Sequence, residues 1–199
     1  MSGLQNACAA ALLAAAQFFL AAAQTVAAAD IEALRQKAAV CGACHGADGN
    51  STNPAVPSLA GQPKQFITTQ LVMFREGNRK DAQMTPLTAN LSNPDINDLG
   101  TFFAAQKLAP PAHALDPEKQ AAGRSLAERF LCVQCHTPAL TGQQHIPRLA
   151  GQQREYLATQ LRGFRAGTRF DMDGNMTSAA QPLSPADIDL LADYLSALN

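Results

Sequence analysis

"CGACHG" at residues 41–46 sets two cysteines three positions apart and follows the second with a histidine, and "CVQCHT" at residues 132–137 does so again. Cysteines at that spacing share one side of a helical turn, and the histidine continues the turn. Three chemistries use such a set. A zinc site needs four ligands, whereas each copy offers Cys, Cys and His with no second clustered pair nearby. A disulfide, Cys41 with Cys44 and Cys132 with Cys135, suits an oxidising compartment but leaves the histidines without a task. In the third, both cysteines form thioethers to vinyl groups on one edge of a porphyrin while the histidine binds the iron, the C-x-x-C-H pattern of c-type haem attachment. The spacing therefore predicts two covalently attached haems c, held by Cys41, Cys44, Cys132 and Cys135, with His45 and His136 on the irons.

The composition agrees with cores filled by something other than side chains. Of 199 residues 47% are hydrophobic, yet only 6% are aromatic and none is Trp. Lys plus Arg number 15 against 16 for Asp plus Glu, so no basic excess exists to neutralise a phosphate backbone and no nucleic-acid partner is expected. Residues 1–29 contain no Lys, Arg, Asp or Glu and end in small residues, with Ala27 and Ala29 at a small-x-small site before Asp30. That reads as a signal peptide cleaved after Ala29, hence an exported protein. The alternative is a retained anchor, since Ala9 to Ala29 nearly spans a bilayer, although Gln17, Gln24 and Thr25 interrupt it. Cleavage would remove Cys8.

An internal repeat organises the remainder. "PSLAGQPKQFITTQLVMFREGNR" from Pro57 aligns with "PRLAGQQREYLATQLRGFRAGTR" from Pro147 at an offset of 90; the offset is 91 at the C-x-x-C-H pair and 92 where "LSNPDINDL" from Leu91 meets "LSPADIDLL" from Leu183. Two domains follow, at 30–107 and 116–199, joined by a Pro- and Ala-rich linker at 108–115. Both read as all-α. Ile67, Leu71 and Phe74, matched by Leu157, Leu161 and Phe164, make a helical stripe, with Gly77 and Gly167 as stops. Ser92 with Asp95, and Ser184 with Asp187, form capping-box patterns ahead of inward faces Ile96, Leu99, Phe103 and Ile188, Leu191, Leu195. A helix leads into each C-x-x-C-H, from about Ile31 and from Pro117, the latter capped by Asp116.

Two C-x-x-C-H motifs, each followed by "P-x-LAGQ", a "QL-x-x-F-R-x-G-x-R" helix end, a Met and an "LS-x-x-DI" helix, resemble the di-haem class I cytochromes of the cytochrome c4 family. The resemblance covers almost all of the mature chain. It implies two tandem class I cytochrome c domains, each a small helical fold around one haem.

An iron held by His needs a partner on its other face, and Met is the soft choice. Met73 aligns with Gly163 inside a helix, so core filling is its better role. Met84 stands seven residues before Leu91 and Met176 seven before Leu183, each followed by Thr, which selects this pair. Counting forward from Gly167 leaves Met172 open, because the second repeat carries two additional residues there. His113 and His145 have no counterpart in the other repeat and read as surface residues. The resemblance further implies that Pro57 and Pro147 offer their carbonyls to the proximal imidazoles. Arg79 and Arg169 suit either haem propionates or solvated helix ends.

With His and Met on both irons no coordination position is open, and electron transfer remains as the function. The resemblance implies a periplasmic carrier, not an enzyme, between a quinol-oxidising cytochrome bc complex and a terminal oxidase. Any membrane association would run through these partners or a retained N-terminal segment. The alternatives are the electron-accepting subunit of a flavocytochrome dehydrogenase such as sulfide dehydrogenase, and a di-haem peroxidase, which would require one iron to lose its sixth ligand.

Overall fold

Ser92 and Ser184 each start a helix by accepting the backbone N–H of the residue three on, Asp95 or Asp187, whose carboxylate accepts the serine N–H in return. Both capping boxes form as the letters predict, and each satisfies two amides that a helix start leaves unpaired. The computed structural model describes residues 32–111 and 113–199, so the expected signal peptide and cleavage site, and linker residue Ala112, lie outside the described residues.

Residues 32–37 are helical. From Ala38 onward the chain forms one compact unit containing both repeats. Its first repeat consists of α1 (38–45), α2 (Lys64–Arg75), α3 (Met84–Thr88) and α4 (Asn93–Ala104). The second consists of α5 (Pro117–Arg129), α6 (Cys132–His136), α7 (Arg154–Ala166), α8 (Asn175–Ala180) and α9 (Pro185–Ser196). Among the described residues there is no strand, only an isolated bridge between Gln143 and Ile146.

The apolar stripes meet as their spacing requires. α2 packs on α4, burying Ile67, Leu71, Met73 and Phe74 against Ile96, Leu99, Phe102 and Phe103. α9 packs on both α7 and α5, with Ile188, Leu191 and Leu195 facing Leu157, Phe164 and Leu126 in one cluster; Leu161 is only half-buried at its edge. Gly123 of α5 lets the backbone approach Tyr194, since a Cβ there would sit 2.4 Å from that side chain. Asp116 caps α5, accepting the Lys119 N–H at 2.8 Å. Gly77 and Gly167, with φ of 71° and 65°, stand just past the ends of α2 and α7.

The repeats part company at the approach to C-x-x-C-H. α1 runs unbroken through Cys41 and His45. The helix expected from Pro117 instead stops at Arg129, and Leu131, at φ 59° and ψ 21°, separates it from α6. A left-handed leucine ends a helix as a glycine would, at a cost of roughly 1–2 kcal/mol.

Candidate functional site

α1 and α6 each end on a histidine. His45 is 6% exposed and His136 3%. Nδ1 of His45 lies 2.8 Å from the carbonyl oxygen of Pro57, and Nδ1 of His136 2.8 Å from that of Pro147. A carbonyl can only accept, so each Nδ1 carries the proton and each Nε2 keeps its lone pair. Burial pushes both imidazole pKa values down, outweighing the upward pull of the proline carbonyls, which keeps the rings neutral at pH 7. Two neutral imidazoles with a committed Nδ1 and a basic Nε2 are what an iron requires.

The loop between each histidine and its proline needs positive φ at two equivalent positions, and that of repeat 2 needs it twice more, at Gly142 and Gln144, with φ of 72° and 51°. Repeat 1 uses Gly46 and Gly49, at 85° and 80°; repeat 2 uses Thr137 and Leu140, at 73° and 57°. The carbonyl of Gly49 then accepts from Leu59 and Ala60, and that of Leu140 from Leu149 and Ala150, so "P-x-LA" docks identically in both. Thr137 gains some compensation, since its hydroxyl accepts the Thr141 N–H at 3.2 Å.

Cys44 and Cys135 are exposed, Cys41 and Cys132 half-buried, and all four are unpaired. Burial pushes the Cys41 and Cys132 thiols above their ordinary value. Among the described residues no three His, Cys, Asp or Glu side chains cluster as metal ligands would.

Met84 opens α3 with its amide donating to Asp81 Oδ1 at 2.9 Å; Met176 enters α8 donating to Asp171 Oδ2 at 2.8 Å. The anchoring aspartates are equivalent between repeats, and the two additional residues lie between Asp171 and Met176, where Met172 falls. Met172 is 73% exposed, while Met176 packs against the core of its own repeat. Met73 is buried, and His113 and His145 are exposed.

Arg79 and Arg169 are not solvated helix ends. Their guanidiniums lie over the rings of Phe74 and Phe164 at 4.5 and 4.4 Å. Arg79 donates to Gln70, to Tyr156 Oη at 3.2 Å and to Gln160; Arg169 also donates to Gln160. Burial, helped by the charge of Arg79, pushes Arg169 down to about 10, although the Tyr156 phenol partly restores it. The Nε atoms of Arg169 and Arg148 are buried without a partner. Half-buried cations whose buried Nε donors are uncommitted fit a group that carries carboxylates, as haem does in its propionates.

Two glutamines that sequence reasoning passed over hold the repeats together. Gln152 accepts the Ser58 N–H at 2.7 Å and donates to the Ser58 carbonyl at 2.8 Å. Gln62 accepts the Arg148 N–H at 3.0 Å and donates to the Arg148 carbonyl at 3.0 Å. Each is the glutamine of "LAGQ", and each grips the residue after the other repeat's proline. Retention of this buried polar residue in both copies of the repeat was the available signal. Gln153 adds a bond to the Ser51 carbonyl, and the Tyr156 N–H one to Pro54.

A family model described as cytochrome c matches the chain twice, over residues 28–104 and 120–199. A cytochrome c4 of Pseudomonas aeruginosa is 41% identical over 183 residues, covering 87% of this chain and 90% of the relative. The crystal structure of reduced recombinant cytochrome c4 from Pseudomonas stutzeri superposes with a TM-score of 0.77 at 36% identity, covering 84% of this chain and 98% of that one. A thiosulfate dehydrogenase electron acceptor of Thiomonas intermedia is 34% identical over 175 residues, covering 81% of this chain and 79% of the relative.

Proposed function

Because the chain belongs to the cytochrome c family, we propose that it is a periplasmic shuttle taking electrons from a quinol-oxidising cytochrome bc complex to a terminal cytochrome oxidase. It is a di-haem electron carrier with two covalently bound haems c, an electron-transfer protein and not an enzyme. The haems supply the one-electron ferric–ferrous couple.

The observation that carries the site assignment is the pair of buried imidazoles, each tied through Nδ1 to a proline carbonyl beside two cysteines at thioether spacing. His45 and Met84 hold one iron, His136 and Met176 the other, and the four cysteines fasten the porphyrins. Pro57 and Pro147 fix ring orientation and raise the basicity of Nε2. The surrounding apolar helices would shield most of the haem from water, which together with the axial ligands would set its potential. Arg148 and Arg169, whose Nε donors are free, would meet the propionates. Residues 1–29 act as an export signal; no described helix is long and apolar enough to cross a membrane.

A second reading gains support from the relative named as a thiosulfate dehydrogenase electron acceptor: the donor is then a sulfur-compound dehydrogenase, as in the flavocytochrome arrangement. Stopped-flow reduction of the purified holoprotein by bc complex with quinol, against thiosulfate dehydrogenase with thiosulfate, decides between them. Fast reduction by the bc complex, then reoxidation by membranes bearing the oxidase, supports the shuttle. Fast reduction by the dehydrogenase alone overturns it. Fast carbon monoxide binding or peroxide turnover would reveal an open iron and an enzyme.

A further inference from the structure

The carbonyl of Pro57 and the N–H of Ser58 belong to one peptide group. His45 Nδ1–H donates to that carbonyl at 2.8 Å, and the N–H on its other side donates to Gln152 Oε1 at 2.7 Å. The second repeat mirrors the arrangement, with His136 donating to Pro147 at 2.8 Å and the Arg148 N–H donating to Gln62 Oε1 at 3.0 Å. Each histidine thus stands at the end of a hydrogen-bond chain that passes through a single peptide plane and ends on a side chain of the other repeat. Gln62 and Gln152 are 3% and 5% exposed, so water does not compete for either link.

We propose that Gln152 and Gln62 are positioning residues that act across the interface, each tuning the axial histidine of the opposite repeat. An amide oxygen on the peptide N–H polarises the group and makes its carbonyl a better acceptor, because adjacent hydrogen bonds strengthen one another in a low-dielectric interior. A stronger acceptor draws the Nδ1 proton and leaves more electron density on the ring. Electron density on an axial ligand favours ferric over ferrous iron, so each glutamine lowers the potential of the haem it does not share a repeat with. The two chains are unequal. The Ser58 link is shorter than the Arg148 link, while Gln152 Oε1 also accepts the Gln153 N–H at 2.8 Å. This inference rests on His45 and His136 being the iron ligands.

The test uses the full di-haem protein, with each haem assigned by NMR of the reduced form through its own thioether links. Gln152→Met removes the acceptor at similar volume. It should raise the midpoint of the haem on His45 and move the His45 ring N–H resonance upfield, leaving the His136 haem unchanged; Gln62→Met should do the reverse. Gln153→Ala, which loses an interface bond outside both chains, should leave both midpoints in place. Where Gln152→Met fails to take up both haems, Gln152→Asn, which draws the amide back by one methylene, should show the same crossed pattern. A shift on the haem of the substituted repeat, an equal shift from Gln153→Ala, or no shift at all overturns the proposal. Failure of the ligand assignment is distinct, appearing already in the wild type as His45 or His136 ring carbon protons without the large upfield displacement of an iron-bound imidazole.

Discussion

Met176 donates its amide to Asp171 across five residues, where Met84 donates to Asp81 across three; the loops differ in length and the anchor is kept. Equivalent anchors put Met176, not Met172, opposite Met84. Met84→Ala and Met176→Ala should each remove one contribution to the Met-to-ferric-iron charge-transfer band, and Met172→Ala should leave the spectrum intact. Loss of the band in Met172→Ala would reverse the assignment.

Removing an anchor should loosen the methionine without deleting it. Asp171 accepts from the Met176 N–H and from both the N–H and the hydroxyl of Thr177. Asp171→Ala is expected to cost about 1 kcal/mol of loop stability, read as roughly fivefold tighter apparent binding of added imidazole to the ferric protein. An imidazole titration indistinguishable from wild type would show that packing alone holds the loop.

Acid should weaken the start of α9 through Asp187. The Ser184 hydroxyl and backbone amide, with Arg129 nearby, hold its carboxyl below the ordinary value. A carboxyl depressed in the folded state contributes stability above its unfolded pKa of about 3.9 and loses it as pH falls through the lower folded value. Thermal melts of the native protein should therefore be flat above about pH 5 and decline below about pH 4. Asp187→Asn should melt lower at neutral pH and show a shallower acid decline; a parallel decline would assign the acid sensitivity to other groups.

One substitution, at two left-handed leucines, should have opposite effects. Leu131, at φ 59°, is 56% exposed, whereas Leu140, at φ 57°, is 1% exposed. Leu131→Gly relieves backbone strain at little packing loss and should stabilise by about 1 kcal/mol. Leu140→Gly gains the same relief but vacates the core, for a net loss of about 2 kcal/mol or more. Denaturant unfolding of both variants checks the signs.

Local features were legible in the letters. The C-x-x-C-H turns, the Ile67–Leu71–Phe74 stripe and the Ser184–Asp187 cap all join residues within two helical turns, where spacing alone decides contact. Gln62 and Gln152 were not legible as clamps. Their partners lie 86 and 94 residues away and are backbone groups, which no letter encodes. The break at Leu131 was hidden for a related reason, since a leucine in a glycine conformation carries no signal of it. Arg79 and Arg169 kept two roles open until the stacking on Phe74 and Phe164, and the shared Gln160, showed them drawn inward.

The glutamine clamps hold main-chain atoms, and this bears on how the two halves could diverge after duplication. A fastening that recognises only N–H and C=O makes no demand of its own on the side chain at the gripped position; at Ser58 the demand comes from burial and from the Ser51 N–H that its hydroxyl accepts. The present occupants, a serine at 58 and an arginine at 148, could hardly differ more in size and charge, yet both are gripped alike. The duplicated halves could thus acquire distinct chemistry beside each C-x-x-C-H histidine, including a cation on one side only, without loosening the clamp.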